Sequence, residues 1–163
     1  MSVPPQRDPL KRLVAVTLDE ASIDRSNREV EHERAAAIAD LLEDNTFHLP
    51  GHDGGPYALL IRKSERRLVL DIRHVSGVPL VAHHLSLAPF RRIVRDYFLI
   101  CDSYRAATRA AQPARIEAID MGRRGLHDEG ARILHERIDG KIETDFATAR
   151  RLFTLICALH WKG

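Results

Sequence analysis

The sequence predicts an α+β fold: a four-stranded, mostly antiparallel sheet packed by four helices, in the order βαβββααα. Three observations carry that prediction. A short β-branched run, Leu13 to Leu18, opens the ordered part of the chain. Residues 57–85 form three apolar segments of strand length separated by short turns. From Ser86 onward the apolar residues recur only at helical spacing. Strands joined by tight turns pair antiparallel, and helices that follow them in a block cover one side.

Each element has its own justification. Residues 1–10 read as a flexible tail, and residues 11–163 as a single domain, which a chain of 163 residues suits. Ser26-Asn27-Arg28-Glu29 has the form of a capping box and opens a helix that runs to about Asp44. Its buried stripe is Val30, Ala37, Ile38, Leu41 and Leu42. Residues 45–56 hold three Gly and two Pro and read as a loop. In 67–74, Leu68, Leu70 and Ile72 alternate with Arg67, Asp71 and Arg73, so one face is apolar. Ser64-Glu65 marks one hairpin turn and Ser76-Gly77 the next, with 78–85 as the last strand. Ser86 is the expected cap of a long helix whose inner face is Phe90, Val94, Tyr97, Cys101 and Tyr104. Gln112-Pro113 separates it from a second helix over about 114–138, closed by Asp139-Gly140. Thr144 or Asp145 caps the last helix, expected to reach about 161 and apolar nearly all round, as suits a central helix.

Composition excludes several classes. No window approaches the roughly 20 apolar residues of a membrane helix, so no membrane partner is expected. The first twelve residues lack the apolar segment of a secretory signal. The two cysteines, Cys101 and Cys157, form no CxxC pair and fall in apolar helical patterns, which points to buried thiols in a cytoplasmic protein. Charge is divided unevenly. Residues 1–56 carry 6 Lys/Arg against 11 Asp/Glu, and residues 57–163 carry 19 against 12. That split permits self-association as a homodimer. Arginine outnumbers lysine 21 to 4, a bias that suits bidentate phosphate or carboxylate contacts.

The stretch DMGRRGLHDEG, residues 120–130, raises the sharpest question. In one continuous helix, Ala118, Gly122, Leu126, Gly130 and Leu134 make a row in which small and large residues alternate. Each glycine costs about 1 kcal/mol against alanine, so close packing by the last helix should offset it. Asp120, Arg124, His127 and Asp128 then fall on the other side, with Asp120–Arg124 and Arg124–Asp128 as pairs one turn apart. A break at Gly122 or Gly125 would instead make an anion site of Arg123, Arg124 and a fresh helix start. Continuous packing is the favoured reading, because the spacing matches no phosphate-loop or dinucleotide pattern.

Other candidates have plainer explanations beside them. Arg91, Arg92 and Arg95, with Arg105 and Arg109 further on, form a basic ridge suited to RNA or an acidic protein, or an ordinary solvated face paired with Asp96 and Asp102. His48, His52-Asp53, the single Glu29-x-x-His32 and the His83-His84 pair give no complete ligand set, so neither metal nor cofactor is assigned. Ser76, Ser103 and the cysteines lack the surroundings of a nucleophile.

Six blocks stand together in order: VTLDEASI (16–23), EHERA (31–35), GGPY (54–57), LSLAPFRRIVRDYFLICDSY (85–104), IEAIDMGRRGLHDEG (116–130) and DFATARRLFTLICALHW (145–161). With them the chain resembles an uncharacterised protein family of proteobacteria over about residues 10–163. The resemblance implies a small cytosolic bacterial protein of one domain, and it supplies no catalytic residue. The leading functional expectation is therefore a non-enzymatic binding or regulatory protein that meets protein or RNA through its Arg-rich helices. The alternative is an enzyme acting on a phosphorylated or carboxylated small molecule. Arg123 and Arg124 would clamp the anion, and His127, oriented by Asp128, would move the proton.

Overall fold

The computed structural model describes residues 8–22, 28–52 and 54–159. The capping-box residue Ser26, Asp53 and Trp161 lie outside the described residues. The expected architecture is present: α+β, with four helices and a four-stranded, mostly antiparallel sheet. Strands β1 (Leu13–Leu18), β3 (Tyr57–Ser64), β4 (Arg67–His74) and β5 (Pro79–Ser86) line up in that spatial order. β1 runs parallel to β3, and the other pairs are antiparallel. The helices are α1 (Arg28–Glu43), α2 (Ala88–Arg109), α3 (Pro113–Ile138) and α4 (Phe146–Cys157). Two short strands were not foreseen: β2 (Phe47–His48), inside the expected loop, pairs with β6 (Glu143–Thr144).

Alternation explains the sheet. Tyr57, Leu59 and Ile61 of β3 and Leu68, Leu70 and Ile72 of β4 are buried on one face. They share a single hydrophobic cluster with Phe90 and Val94 of α2, Leu134 and Ile138 of α3, and Leu152 and Phe153 of α4. Asn45 ties β1 to the end of α1. Its Oδ1 accepts from Leu13 N–H at 2.8 Å, and its Nδ2 donates to the carbonyls of Leu13 at 2.9 Å and Leu41 at 2.7 Å. The β3–β4 turn is formed by Glu65 and Arg66, and Glu65 takes the left-handed φ of 56° that Asn or Gly would usually supply.

The helices follow their caps. In α2 the cap position is Leu87, one residue after the expected Ser86, and it makes no side-chain cap bond; Ser86 Oγ accepts from Ala88 N–H at 3.2 Å. Asp145 Oδ1 accepts from Thr148 N–H at 2.8 Å and starts α4 as expected. α4 stops at Cys157, short of the expected 161, as Ala158 N–H and Leu159 N–H turn back to the Leu155 and Ile156 carbonyls. The helix is central, with Ala149, Leu152, Phe153, Leu155, Ile156 and Cys157 all buried.

α3 is unbroken from Pro113 to Ile138, so no helix starts at Gly122 or Gly125 and no anion loop forms there. The reason is packing. A Cβ on Gly130 would lie 2.2 Å from Phe153 Cζ of α4. A Cβ on Gly122 would lie 2.8 Å from Ile100 Cδ1 of α2. The two glycines therefore receive different helices, not both the last one. Gly125 faces open space.

Candidate functional site

The middle of α3 meets α1, α2 and α4 along a groove with two lobes. One lobe, about 310 Å³, is lined by Arg123, Arg124, His127, Arg150 and Arg151, with Glu33 and Asp40 of α1. The other, about 500 Å³, is lined by Cys101, Tyr104, Thr108 and Arg109. Glu33 and Arg123 belong to both.

Asp120 organises the α3 arginines. Its Oδ1 is 2.6 Å from Arg123 Nη2 and its Oδ2 is 2.9 Å from Arg124 Nη2. Arg123 also lies 4.5 Å over the Tyr104 ring, a cation–π contact. The expected Asp120–Arg124 pair is thus formed. The expected Arg124–Asp128 pair is replaced by a contact between helices, Arg150 Nε to Asp128 Oδ1 at 3.2 Å. Arg151 Nη1 donates to the Asp44 carbonyl at 2.9 Å.

His127 does not share the solvent side with Arg124. It turns inward, 5.7 Å from the Tyr97 ring and 5.5 Å from the Phe153 ring between centroids. Its Nε2 is 2.7 Å from Thr154 Oγ1. That hydroxyl donates to the Arg150 carbonyl at 3.3 Å, so it accepts from His127 Nε2–H. Nδ1 is left as a lone-pair acceptor, buried and without a partner among the described residues. Thr154, not Asp128, therefore orients the ring. Burial first, and then the Arg150 charge, lower the His127 pKa to about 4, with Asp128 opposing. The imidazole is neutral at physiological pH. Tyr97 is held in its phenol form by burial and by Glu33. The same two causes raise the Cys101 thiol to about 11.

The remaining candidates lie elsewhere. Arg91, Arg92 and Arg95 are exposed on the first turns of α2 and do not reach the groove. Arg92 and Arg95 share Asp96, at 3.8 and 3.9 Å. His48 Nδ1 is 3.3 Å from the Tyr57 hydroxyl. Among the described residues, no three His, Cys, Asp or Glu side chains gather as metal ligands would. No helix of the described residues is long and apolar enough to cross a membrane. Sequence reasoning missed Glu33, Asp40, Arg150, Arg151 and Thr154 as site residues. Arg150 and Thr154 stand one turn apart on α4, and polar residues on a helix otherwise buried were the available signal.

The model of an uncharacterised protein family, UPF0262, matches residues 10–162. The chain belongs to this family. The UPF0262 protein of Azorhizobium caulinodans is 65% identical over 160 residues, covering 97% of this chain and 99% of the relative. That of Xanthobacter autotrophicus is 61% identical over 164 residues, covering both chains fully. That of Nitrobacter winogradskyi is 61% identical over 160 residues, covering 98% and 96%. The resemblance read from the six sequence blocks is therefore correct. No solved structure matches the chain.

Proposed function

We propose that this UPF0262 member is a non-enzymatic binding protein for a small phosphorylated or carboxylated molecule, held in the groove between α1, α3 and α4. One observation carries the reading: four arginines from two helices surround the same cleft as a neutral histidine with an unpartnered Nδ1. Fixed guanidinium groups suit an oxyanion, because each offers paired donors in a rigid fork. Asp120 and Asp128 hold three of the four in place, which reduces the ordering cost on binding. Glu33 and Asp40 on the α1 wall suit hydroxyl or ammonium donors of the same ligand. His127 supports binding over catalysis, since a group with a pKa of about 4 accepts a hydrogen bond at neutral pH but is a poor proton acceptor. Two free thiols support a cytoplasmic setting, and one shared core supports a single domain.

Thermal-shift measurements with a panel of sugar phosphates, nucleotides and di- and tricarboxylates test the reading. A ligand at 100 times its Kd adds about 2.7 kcal/mol, and this chain length converts that to roughly 5–10 °C. Arg124→Gln should remove most of the shift, since that side chain is largely exposed and its loss spares the core. A panel without a single responder, or a shift that Arg124→Gln leaves intact, overturns the proposal.

A further inference from the structure

The tip of the β3–β4 hairpin and the first turn of α2 enclose a second concavity, a trough of about 800 Å³. Lys63, Arg66, Arg67 and Arg91 line it, and Glu65 is its one carboxylate among the described residues. The two walls are fixed to each other. Leu87 N–H donates to the Arg66 carbonyl at 3.0 Å, and Arg67 pairs with Ser86 across β4 and β5. Arg66, Arg67 and Arg91 are exposed, and none enters an ion pair among the described residues. This differs from the groove, where acidic side chains hold Arg123, Arg124 and Arg150. At the start of α2 the Ala88 N–H is taken by Ser86 Oγ, and the basic side chains supply the charge of the surface.

We propose that this trough docks the phosphodiester backbone of a double-stranded nucleic acid. Three of its four cations are arginines, whose forks match phosphate oxygens. Arg66 and Arg67 on one wall and Arg91 on the other, none in an ion pair among the described residues, raise the local potential for a polyanion. Among the described residues no aromatic side chain lines the trough to stack an unpaired base, which favours a duplex with outward phosphates over a single strand. The contacts are consequently independent of base sequence. A lipid surface is disfavoured because no large exposed apolar side chain among the described residues borders the trough. Val75 and Val78 lie at the opposite sheet end, Leu99 and Met121 lie on later turns of α2 and α3, and Phe146 opens α4.

Fluorescence anisotropy on the full chain tests the proposal, with labelled mixed-sequence DNA and RNA duplexes, the matching single strands, polyglutamate and anionic vesicles. Three neutralised phosphates, one each for Arg66, Arg67 and Arg91, predict an affinity that falls about 40-fold between 50 and 200 mM salt. The double variant Arg66→Glu/Arg91→Glu should weaken duplex binding at least about tenfold and lower the salt slope by about 2. Arg115→Glu, an exposed change at the start of α3, should not. Binding to either duplex with this pattern supports the inference, and the two duplexes tell DNA from RNA. Binding that the double variant leaves unchanged while circular dichroism shows both variants folded, or tighter capture of single strands, polyglutamate or vesicles, overturns it. Because the groove plays no part, these results are independent of the small-anion proposal.

Discussion

Gly130→Ala should destabilise the protein, although alanine is the better helix former by about 1 kcal/mol. The added methyl would lie 2.2 Å from Phe153 Cζ and 2.4 Å from each Cε, where ordinary carbon contacts need about 3.5–4.0 Å. Phe153 is fully buried and meets Tyr97 edge-on at 6.2 Å, so its ring has no free space to enter. Overpacking of this kind costs about 1–3 kcal/mol net. Gly125→Ala is the matched control on the same helix, exposed with nothing within 4 Å of its Cβ, and should stabilise by up to about 1 kcal/mol. Thermal melts followed by circular dichroism should therefore move in opposite directions. At roughly 2–4 °C per kcal/mol, Gly130→Ala lowers the midpoint by about 2–12 °C and Gly125→Ala raises it by up to about 4 °C. If Gly130→Ala melts at or above Gly125→Ala, the close-packing account of α3 is wrong.

Three further expectations follow from the same contacts. The His127 pKa of about 4 lies below the roughly 6.5 of an unfolded chain. Between those values the unfolded chain binds the extra proton, so this residue's contribution falls as pH drops from about 6.5 to 4 and levels off below that. Urea unfolding of wild type and His127→Gln across that window should show the difference curve sloping, and parallel curves would refute it. Asn45→Ala removes three buried hydrogen bonds and strands the Leu13 and Leu41 backbone groups, at a cost of about 2–4 kcal/mol by chemical denaturation; a loss under about 1 kcal/mol would mean the strand finds other partners. Cys101, raised to about 11, and Cys157, raised by full burial, should both alkylate far more slowly at pH 8 than a free thiol. Mass spectrometry after iodoacetamide reads this directly, and rapid labelling of Cys101 would contradict the raised basicity of its half-buried thiol beside Tyr97.

Local periodicity made most of the fold legible. The inner face of β4 and the first half of that of α2 were named correctly from spacing alone, since Leu68, Leu70, Ile72, Phe90, Val94 and Tyr97 are all buried, whereas Cys101 and Tyr104 further along α2 are only half-buried. The pairings with long sequence separation were not legible. β2 and β6 are two residues each, too short for any period, and they meet across about a hundred residues. The parallel pairing of β1 with β3 is likewise invisible, because a strand's own pattern does not name its neighbour. Asn45 looked like a loop residue, and its role needs the coordinates of Leu13 and Leu41 together.

The site shows how a correct local reading can still place one side chain wrongly. Following the rows four apart put Gly122, Leu126 and Gly130 together and left His127 on the polar side with Arg124. A helix face is also joined by steps of three, and His127 stands three residues before Gly130. The absence of a side chain at Gly130 lets the Phe153 ring approach α3, and the same ring closes one side of His127. Burial by that ring, by Tyr97 and by α4 is what lowers the histidine's basicity. The glycine and the histidine, which looked like rival signals of packing and chemistry, are thus parts of one arrangement. The close helix contact holds the imidazole neutral at the inner wall of the groove, and the arginines held by Asp120 and Asp128 supply its charge.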